Sequence, residues 1–320
     1  VSKLRERFDD LVRYLSTPRH LIGVSLFRVI AGVNVLLTYL LNYGHRHYLF
    51  GPNGVFAPHE STGAALDLYR FSTNSVSFEL LYHFGLLSAF LWTLGYHTFW
   101  LTPITFVFWR ALVTQGALVW DGGDNMMQIV FIYACFIQLS HRFSIHEPPA
   151  SRHPSLAAVR AVLHNMGVLA VVAQLCVVYS VSGLTKVQGE TWRNGTALYY
   201  ALKSAEFSFP PLSDWIYRSD AVLTLICYMT VLFLVGFPFL VLLNPLTRRL
   251  AIFMGISFHL GIGVVMGLSS FATYMIAAEL ILVSDSEYTA LVAWFKRWRE
   301  RLFARGVLHP AARERERSAA

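Results

Sequence analysis

Lys186 closes a long apolar run and is followed by Trp192, Arg193, Asn194 and Gly195. A lysine under apolar cover loses the hydration that holds its charge and becomes a base. The same lysine at a bilayer surface extends its ammonium to the headgroups. Composition alone favours the second role, and both stay open at this level. His259 lies in the middle of another apolar run, and Asp121-Gly122-Gly123-Asp124-Asn125 separates two more. If the runs pack around one cavity, these groups converge near its outer mouth.

An ionisable side chain inside an apolar run is costly unless it faces a bundle interior or water. Arg28, Glu79, His83, Arg110 and Glu279 are such residues, with Asn34, Gln115, Gln128 and Gln174 as polar companions. Arg28 and Arg110 are expected to pair with Glu79 or Glu279 and to hold helices together. Glu79 and His83, four residues apart, share a helix face. Two such residues suit a hydrogen bond between helices better than a metal, and His45 and His47 bring no third ligand into view. No metal site is expected.

The elements that must position these groups are membrane helices. Hydrophobic residues make up 55% of the 320 residues and charged residues 14%, against about 25% in a soluble domain. That composition excludes a disordered chain, a nucleic-acid-binding domain and a disulfide scaffold. Cys135, Cys176 and Cys227 are scattered singly through apolar runs, which removes a dithiol or cysteine–zinc site. A bilayer core of about 30 Å takes roughly 20 apolar residues per helix. Eight candidate spans result: Leu21–Tyr43, Val76–Tyr96, Phe99–Val119, Asn125–Leu139, Arg160–Leu184, Ala221–Leu243, Leu250–Leu268 and Phe271–Phe295. The fourth is short, and the eighth carries Asp285 and Glu287, so its lower end reads as interfacial.

Eight of the 26 Lys and Arg fall between Lys296 and Arg317 and five precede residue 20. With Arg142, Arg152, Arg160, Arg248 and Arg249, they lie on one side of an even number of spans, which predicts that both termini are cytoplasmic. The expected organisation is all-α: a charged amphipathic segment over residues 1–20, an eight-helix polytopic bundle over 21–295, and a basic cytoplasmic tail over 296–320, disordered from 309. No cleavable signal peptide is evident in the first residues. Long outer loops cover about residues 44–75 and 185–220, the second with a short interfacial helix at Trp192–Leu202 before Phe209-Pro210-Pro211 and Trp215. Gly23, Gly32, Gly167, Gly255, Gly261 and Gly263 are places where helices could approach closely.

Several stretches carry a resemblance: Ser25-Leu26-Phe27-Arg28-Val29-Ile30-Ala31-Gly32, Tyr48-Leu49-Phe50-Gly51-Pro52-Asn53-Gly54-Val55-Phe56, the Asp121–Asn125 loop with Arg142-Phe143-Ser144, and Ser182-Gly183-Leu184-Thr185-Lys186-Val187 with Trp192-Arg193-Asn194-Gly195-Thr196-Ala197-Leu198. With Ser257-Phe258-His259, Gly267 and Phe271, they resemble the HTTM (horizontally transferred transmembrane) domain, shared by vitamin K-dependent gamma-carboxylase and bacterial SdpB-type proteins. The resemblance runs from about residue 20 to 285. It implies a bacterial plasma-membrane protein in which Lys186 matches the carboxylase lysine that deprotonates a reduced quinone. In the same way His259 matches a polar partner near that quinone, and Trp192 and Gly195 match the residues after the lysine. Asp121, Asp124 and Asn125 fit the bacterial branch better than the carboxylase.

Thr185 replaces the first of the carboxylase's two lysines, and no stretch resembling its lumenal domain follows the last span. The implied function is therefore partner-assisted maturation or export of a secreted peptide or similar product, through an outward-facing cavity in the lipid bilayer. A quinol-dependent carboxylase or oxygenase, with Lys186 as base and a reduced quinone as cofactor, is the first alternative. A transporter or channel is the second, although no internal repeat supports it.

Overall fold

The computed structural model describes residues 2–56, 68–116, 120–147, 153–204, 207–216 and 218–317. Arg152, residues 57–67 of the first expected outer loop, and residues 117–119 of the third expected span lie outside them. Among the described residues every regular element is helical. In chain order these are α1 (Ser2–Leu15), α2 (Leu21–Leu41), α3 (Arg46–Phe50), α4 (Ser75–Leu94), α5 (Thr98–Gln115), α6 (Gly122–Ala134) and α7 (Pro154–Gln188). They continue as α8 (Glu190–Arg193), α9 (Ala197–Lys203), α10 (Pro210–Ile216), α11 (Asp220–Leu243), α12 (Pro245–Val265), α13 (Ser269–Leu280) and α14 (Asp285–Arg317).

Local chemistry sets the starts. Asn74 with Ser77, Asp121 with Asp124, and Asn244 with Thr247 each form a reciprocal capping box, which satisfies two amide groups that the first turn leaves without partners. Pro154 and Pro245 occupy first-turn positions, where a missing N–H costs nothing. Among the described residues five helices, α2, α4, α7, α11 and α12, are long and apolar enough to cross a membrane. Their outward faces are apolar: on α11, Leu225, Leu232, Phe239 and Leu242 are each more than 60% exposed. An exposed apolar belt of that extent is tolerated in lipid and not in water. The protein is accordingly an all-helical membrane protein.

The bundle has two packed groups. In the first, α2 lies against α4 and α13, and α4 against α5; in the second, α7 lies against α11, and α11 against α12, with α12–α13 contacts joining the two. Gly23 lets α2 touch the backbone of Leu280 and Ile281, and Gly183 lets α7 touch Val235 and Leu234 of α11. A Cβ at either place would come within 2.8 Å of its neighbours. Gly32, Gly167, Gly255 and Gly263 also face close neighbours, whereas Gly261 faces open space.

Two sequence expectations change at the C-terminal end. The eighth apolar run is two helices, α13 and α14, with residues 281–284 non-helical between them. The cause is a helix-start signal, Ser284-Asp285-Ser286-Glu287. The Ser284 amide donates to Glu287 Oε2 at 2.8 Å while the Glu287 amide donates to Ser284 Oγ at 3.4 Å. Asp285 then accepts from the Leu21 and Ile22 amides at 3.1 and 2.8 Å and closes the start of α2. The tail is also helical through Arg317 rather than disordered from residue 309; Ala, Arg and Glu, which dominate its end, are strong helix formers. Glu287 meets Arg248 and Arg249 at 3.0 and 2.7 Å and so ties α14 to the start of α12. Burial works against its charge, but hydrogen bonds from Arg249 and Ser284 and the charge of Arg248 outweigh it and hold the carboxyl down at about 2.

A candidate ligand cavity

Tyr179, Ser182 and Lys186 follow one another at the spacing that lines one face of a helix. On α7 that face borders a cavity of about 560 Å³ whose other walls come from the start of α6 and from α8, α9, α10, α11, α12 and α13. Its surface is mostly aliphatic and aromatic, with Trp192, Leu234, Phe258 and Phe271 among the lining residues. Three of the polar residues singled out in the sequence, Asp121, Lys186 and His259, meet here, together with Tyr179.

Lys186 is half-buried. Its Nζ donates to Ser182 Oγ at 2.8 Å and lies 5.2 Å from the centre of the Trp192 ring. No carboxylate reaches it among the described residues. Trp192 comes into place because α7 stops at Gly189, whose amide donates to Lys186 O at 3.0 Å before the chain turns into α8. Gly195 takes φ +72° in the turn to α9, where a Cβ would fall 2.7 Å from the Thr224 methyl. It shapes the wall behind the cavity and does not line it.

The Asp121–Asn125 loop divides in the same way. Asp121 borders the cavity, but its Oδ1 accepts from the Gly123 and Asp124 amides at 2.6 and 3.0 Å. Asp124 Oδ2 accepts from the Asp121 amide at 3.3 Å, and Asn125 is exposed. Neither Asp124 nor Asn125 lines the cavity. Both aspartates therefore start α6.

A buried polar group at and behind the wall combines three helices. Tyr179 on α7, His259 on α12 and Glu279 on α13 are 1%, 2% and 0% exposed. Tyr179 Oη donates to Glu279 Oε1 in a short contact and lies 2.9 Å from His259 Nε2. His259 Nε2 is 3.2 Å from Glu279 Oε1. The Tyr179 ring stacks on Phe237 with centroids 3.7 Å apart. Gly255 makes room for the carboxylate, since a Cβ there would lie 2.8 Å from Glu279 Oε1. Sequence reasoning missed Tyr179; its signal was the repeat of polar side chains at positions 179, 182 and 186 on an apolar helix.

The remaining charged residues lie elsewhere, and the expected arginine–glutamate pairs do not form. Glu79 meets Arg46 Nη2 at 2.7 Å, His47 Nε2 at 2.6 Å and His83 Nδ1 at 3.0 Å, joining α3 to α4. Arg110 lies 5.2 Å over the Trp120 ring, and its Nη1 has no hydrogen-bond partner. Arg28 is fully buried and donates only to backbone carbonyls. Those of Trp92 and Thr93 end α4, and those of Leu139, Arg142 and Phe143 follow α6. The last carbonyls of a helix have no intrahelical donors, and the five N–H groups of one guanidinium can serve several of them at once. Among the described residues no three His, Cys, Asp or Glu side chains converge as metal ligands.

No family model matches the chain, and no solved structure matches it. Over 278 aligned residues, covering 84% of this chain and 83% of the relative, the protein is 22% identical to the sporulation-delaying protein SdpB of Bacillus subtilis, a distant SdpB-like relationship.

Proposed function

We propose that the protein is a bacterial membrane protein of the HTTM type that holds an apolar, anionic-headed ligand, a peptide or lipid-like product, in an outward-facing cavity and acts with partners in its maturation or export. The observation that carries this reading is Lys186, an ammonium without a carboxylate at the edge of a mostly apolar cavity of about 560 Å³. Buried cationic groups without a counter-ion are costly, and a ligand carboxylate or phosphate supplies one. The similarity to SdpB over most of both chains supports the setting. In this reading eight helices, α2, α4, α5, α6, α7, α11, α12 and α13, make up the transmembrane domain of residues 21–295. The basic segments at residues 1–20, around Arg142 and Arg160, at Arg248–Arg249 and in 296–320 face the cytoplasm, as the distribution of Lys and Arg favours.

The test is native mass spectrometry of the protein taken from its own bacterial membranes, compared with a variant in which Ala201, in the cavity wall, is replaced by Trp. A peptide or lipid-like species held by the wild type and lost from Ala201→Trp supports the reading. An empty wild-type protein, or the same species on both, refutes it. The lysine's half-burial also favours a second reading, a quinol-dependent membrane enzyme with Lys186 as base. Epoxide formed from a reduced naphthoquinone and oxygen by the wild type and not by Lys186→Ala supports that reading, and no epoxide from either protein sinks it.

A further inference from the structure

α6 packs against both α5 and α7 but is too short to follow them to their ends. Its 13 residues extend about 20 Å, against a hydrocarbon layer of about 30 Å. Past Ala134 the chain is non-helical through Glu147. Where α6 lacks turns, a groove of about 540 Å³ runs between the start of α5, the segment after α6 and the start of α7. It lies at the opposite end of α7 from the ligand cavity: Arg160 in the groove and Lys186 in the cavity are about 39 Å apart along that helix.

The groove combines two kinds of lining. Trp100 on α5, Phe136 after α6 and Leu163 on α7 line it and are exposed, so its apolar wall is open to acyl chains. Arg160, half-buried, and His97 and His146 line it as well, with the two imidazole rings 3.9 Å apart between centroids. His97 takes φ +35° in the turn between α4 and α5, a left-handed conformation that histidine adopts more readily than most residues. Among the described residues no carboxylate lines the groove. Glu147, next to His146 in the chain, is exposed and outside it.

We propose that this groove binds one anionic glycerophospholipid of the surrounding bilayer, with its phosphate on Arg160, the imidazole pair as further N–H donors, and an acyl chain lying where further turns of α6 would have run. A half-buried guanidinium without a carboxylate is costly, and its planar fork matches the oxygens of a phosphate. Basic pockets between membrane helices take anionic headgroups for this reason. A zwitterionic lipid brings its own cation beside the phosphate, which opposes Arg160. The exposed apolar wall selects a lipid over a soluble phosphate. The site is separate from the Lys186 cavity and stands whether or not that cavity holds a ligand.

The test loads the full-length protein in micelles with equal amounts of phosphatidylglycerol and phosphatidylcholine of distinguishable mass and counts the retained lipids by native mass spectrometry. Wild type should retain phosphatidylglycerol in preference. Arg160→Gln should lower its affinity about fivefold, the worth of one arginine near an anionic lipid surface. Leu163→Trp fills the groove without changing charge and should also lower it. Arg142→Gln removes an exposed charge outside the groove and should bind as wild type does. A second measurement needs no variant: phosphatidylglycerol with a photoreactive acyl chain should crosslink to wild-type peptides that contain Trp100, Phe136 or Leu163.

The proposal is overturned if wild type shows no preference, if Arg160→Gln binds as wild type does, or if the crosslinks fall only on other peptides. Equal losses in Arg160→Gln and Arg142→Gln overturn it in favour of diffuse attraction to a basic surface. Unchanged binding in Leu163→Trp removes the groove from the site, and displacement of the lipid by excess inorganic phosphate assigns Arg160 to a free ion; either result also overturns it.

Discussion

Arg28→Met should destabilise the bundle by a calculable amount. The substitution keeps an unbranched apolar chain of similar length and removes every donor. Five backbone carbonyls lose a partner. Of these contacts, those from Nε to Leu139 O and from Nη1 to Trp92 O, both 3.1 Å, are buried; those to Thr93, Arg142 and Phe143 are part-buried. Water can replace the donor at the last three, so the deficit is carried mainly by the first two. At about 1–3 kcal/mol for each buried group left unsatisfied, the loss is about 2–6 kcal/mol. Arg28→Lys retains the charge but offers one compact ammonium with three donors to carbonyls spread over two segments, and should fall between wild type and methionine. Unfolding in mixed micelles, followed by helical circular dichroism as denaturing detergent is added, gives the free energies. If Arg28→Met is within 0.5 kcal/mol of wild type, a tolerance about that of an ordinary surface substitution, or if lysine equals arginine, the guanidinium does not hold these segments together and the argument fails.

Gly255→Ala forces a methyl to within 2.8 Å of the Glu279 carboxylate; overpacking of this kind costs about 1–3 kcal/mol, readable as a lowered thermal midpoint. Asp121→Ala removes the acceptor of two amides at the start of α6 and should cost about 0.5–2 kcal/mol in the same unfolding assay, while Asp121→Asn recovers most of it. Glu287, held at about 2, contributes stability that is complete above its ordinary value of 4.5 and declines as the pH falls through about 2. A spin-label distance between α12 and α14 should therefore lengthen on acidification through that window, and Glu287→Gln should show the longer distance already at neutral pH.

The positions of most helices were legible because their apolar runs are long and their ends carry ordinary signals, such as Asn74, Asp121, Pro154 and Asn244. The break at residues 281–284 was hidden for a physical reason: the apolar pattern continues through Ile281, Leu282 and Val283, and only the capping chemistry of Ser284 and Glu287 marks a new start. In the site, Lys186, Trp192 and His259 were visible as polar or aromatic exceptions in apolar surroundings, and the bundle brings them to one cavity. What could not be read was partner choice. Arg28 reads as half of an ion pair because charge suggests a counter-charge, whereas it serves carbonyls whose exposure depends on where α4 and the segment after α6 end. Glu279 likewise reads as an arginine partner until α12 and α13 meet at Gly255 and place it beside His259.

The length of α7 has a mechanical consequence. Its 35 residues extend about 52 Å, well beyond a hydrocarbon layer of about 30 Å, and proline enters only at its first turn. Near the projecting end, Asn165 donates to the carbonyls of Leu15 and Thr17 and accepts from the Arg19 amide, while His164 Nε2 contacts Arg19 O at 2.6 Å. Near the other end the same rod carries Tyr179 and Lys186. A tilt imposed on the N-terminal segment on one side of the membrane is thus transmitted as lateral displacement of the cavity wall on the other, with the bundle between them acting as fulcrum.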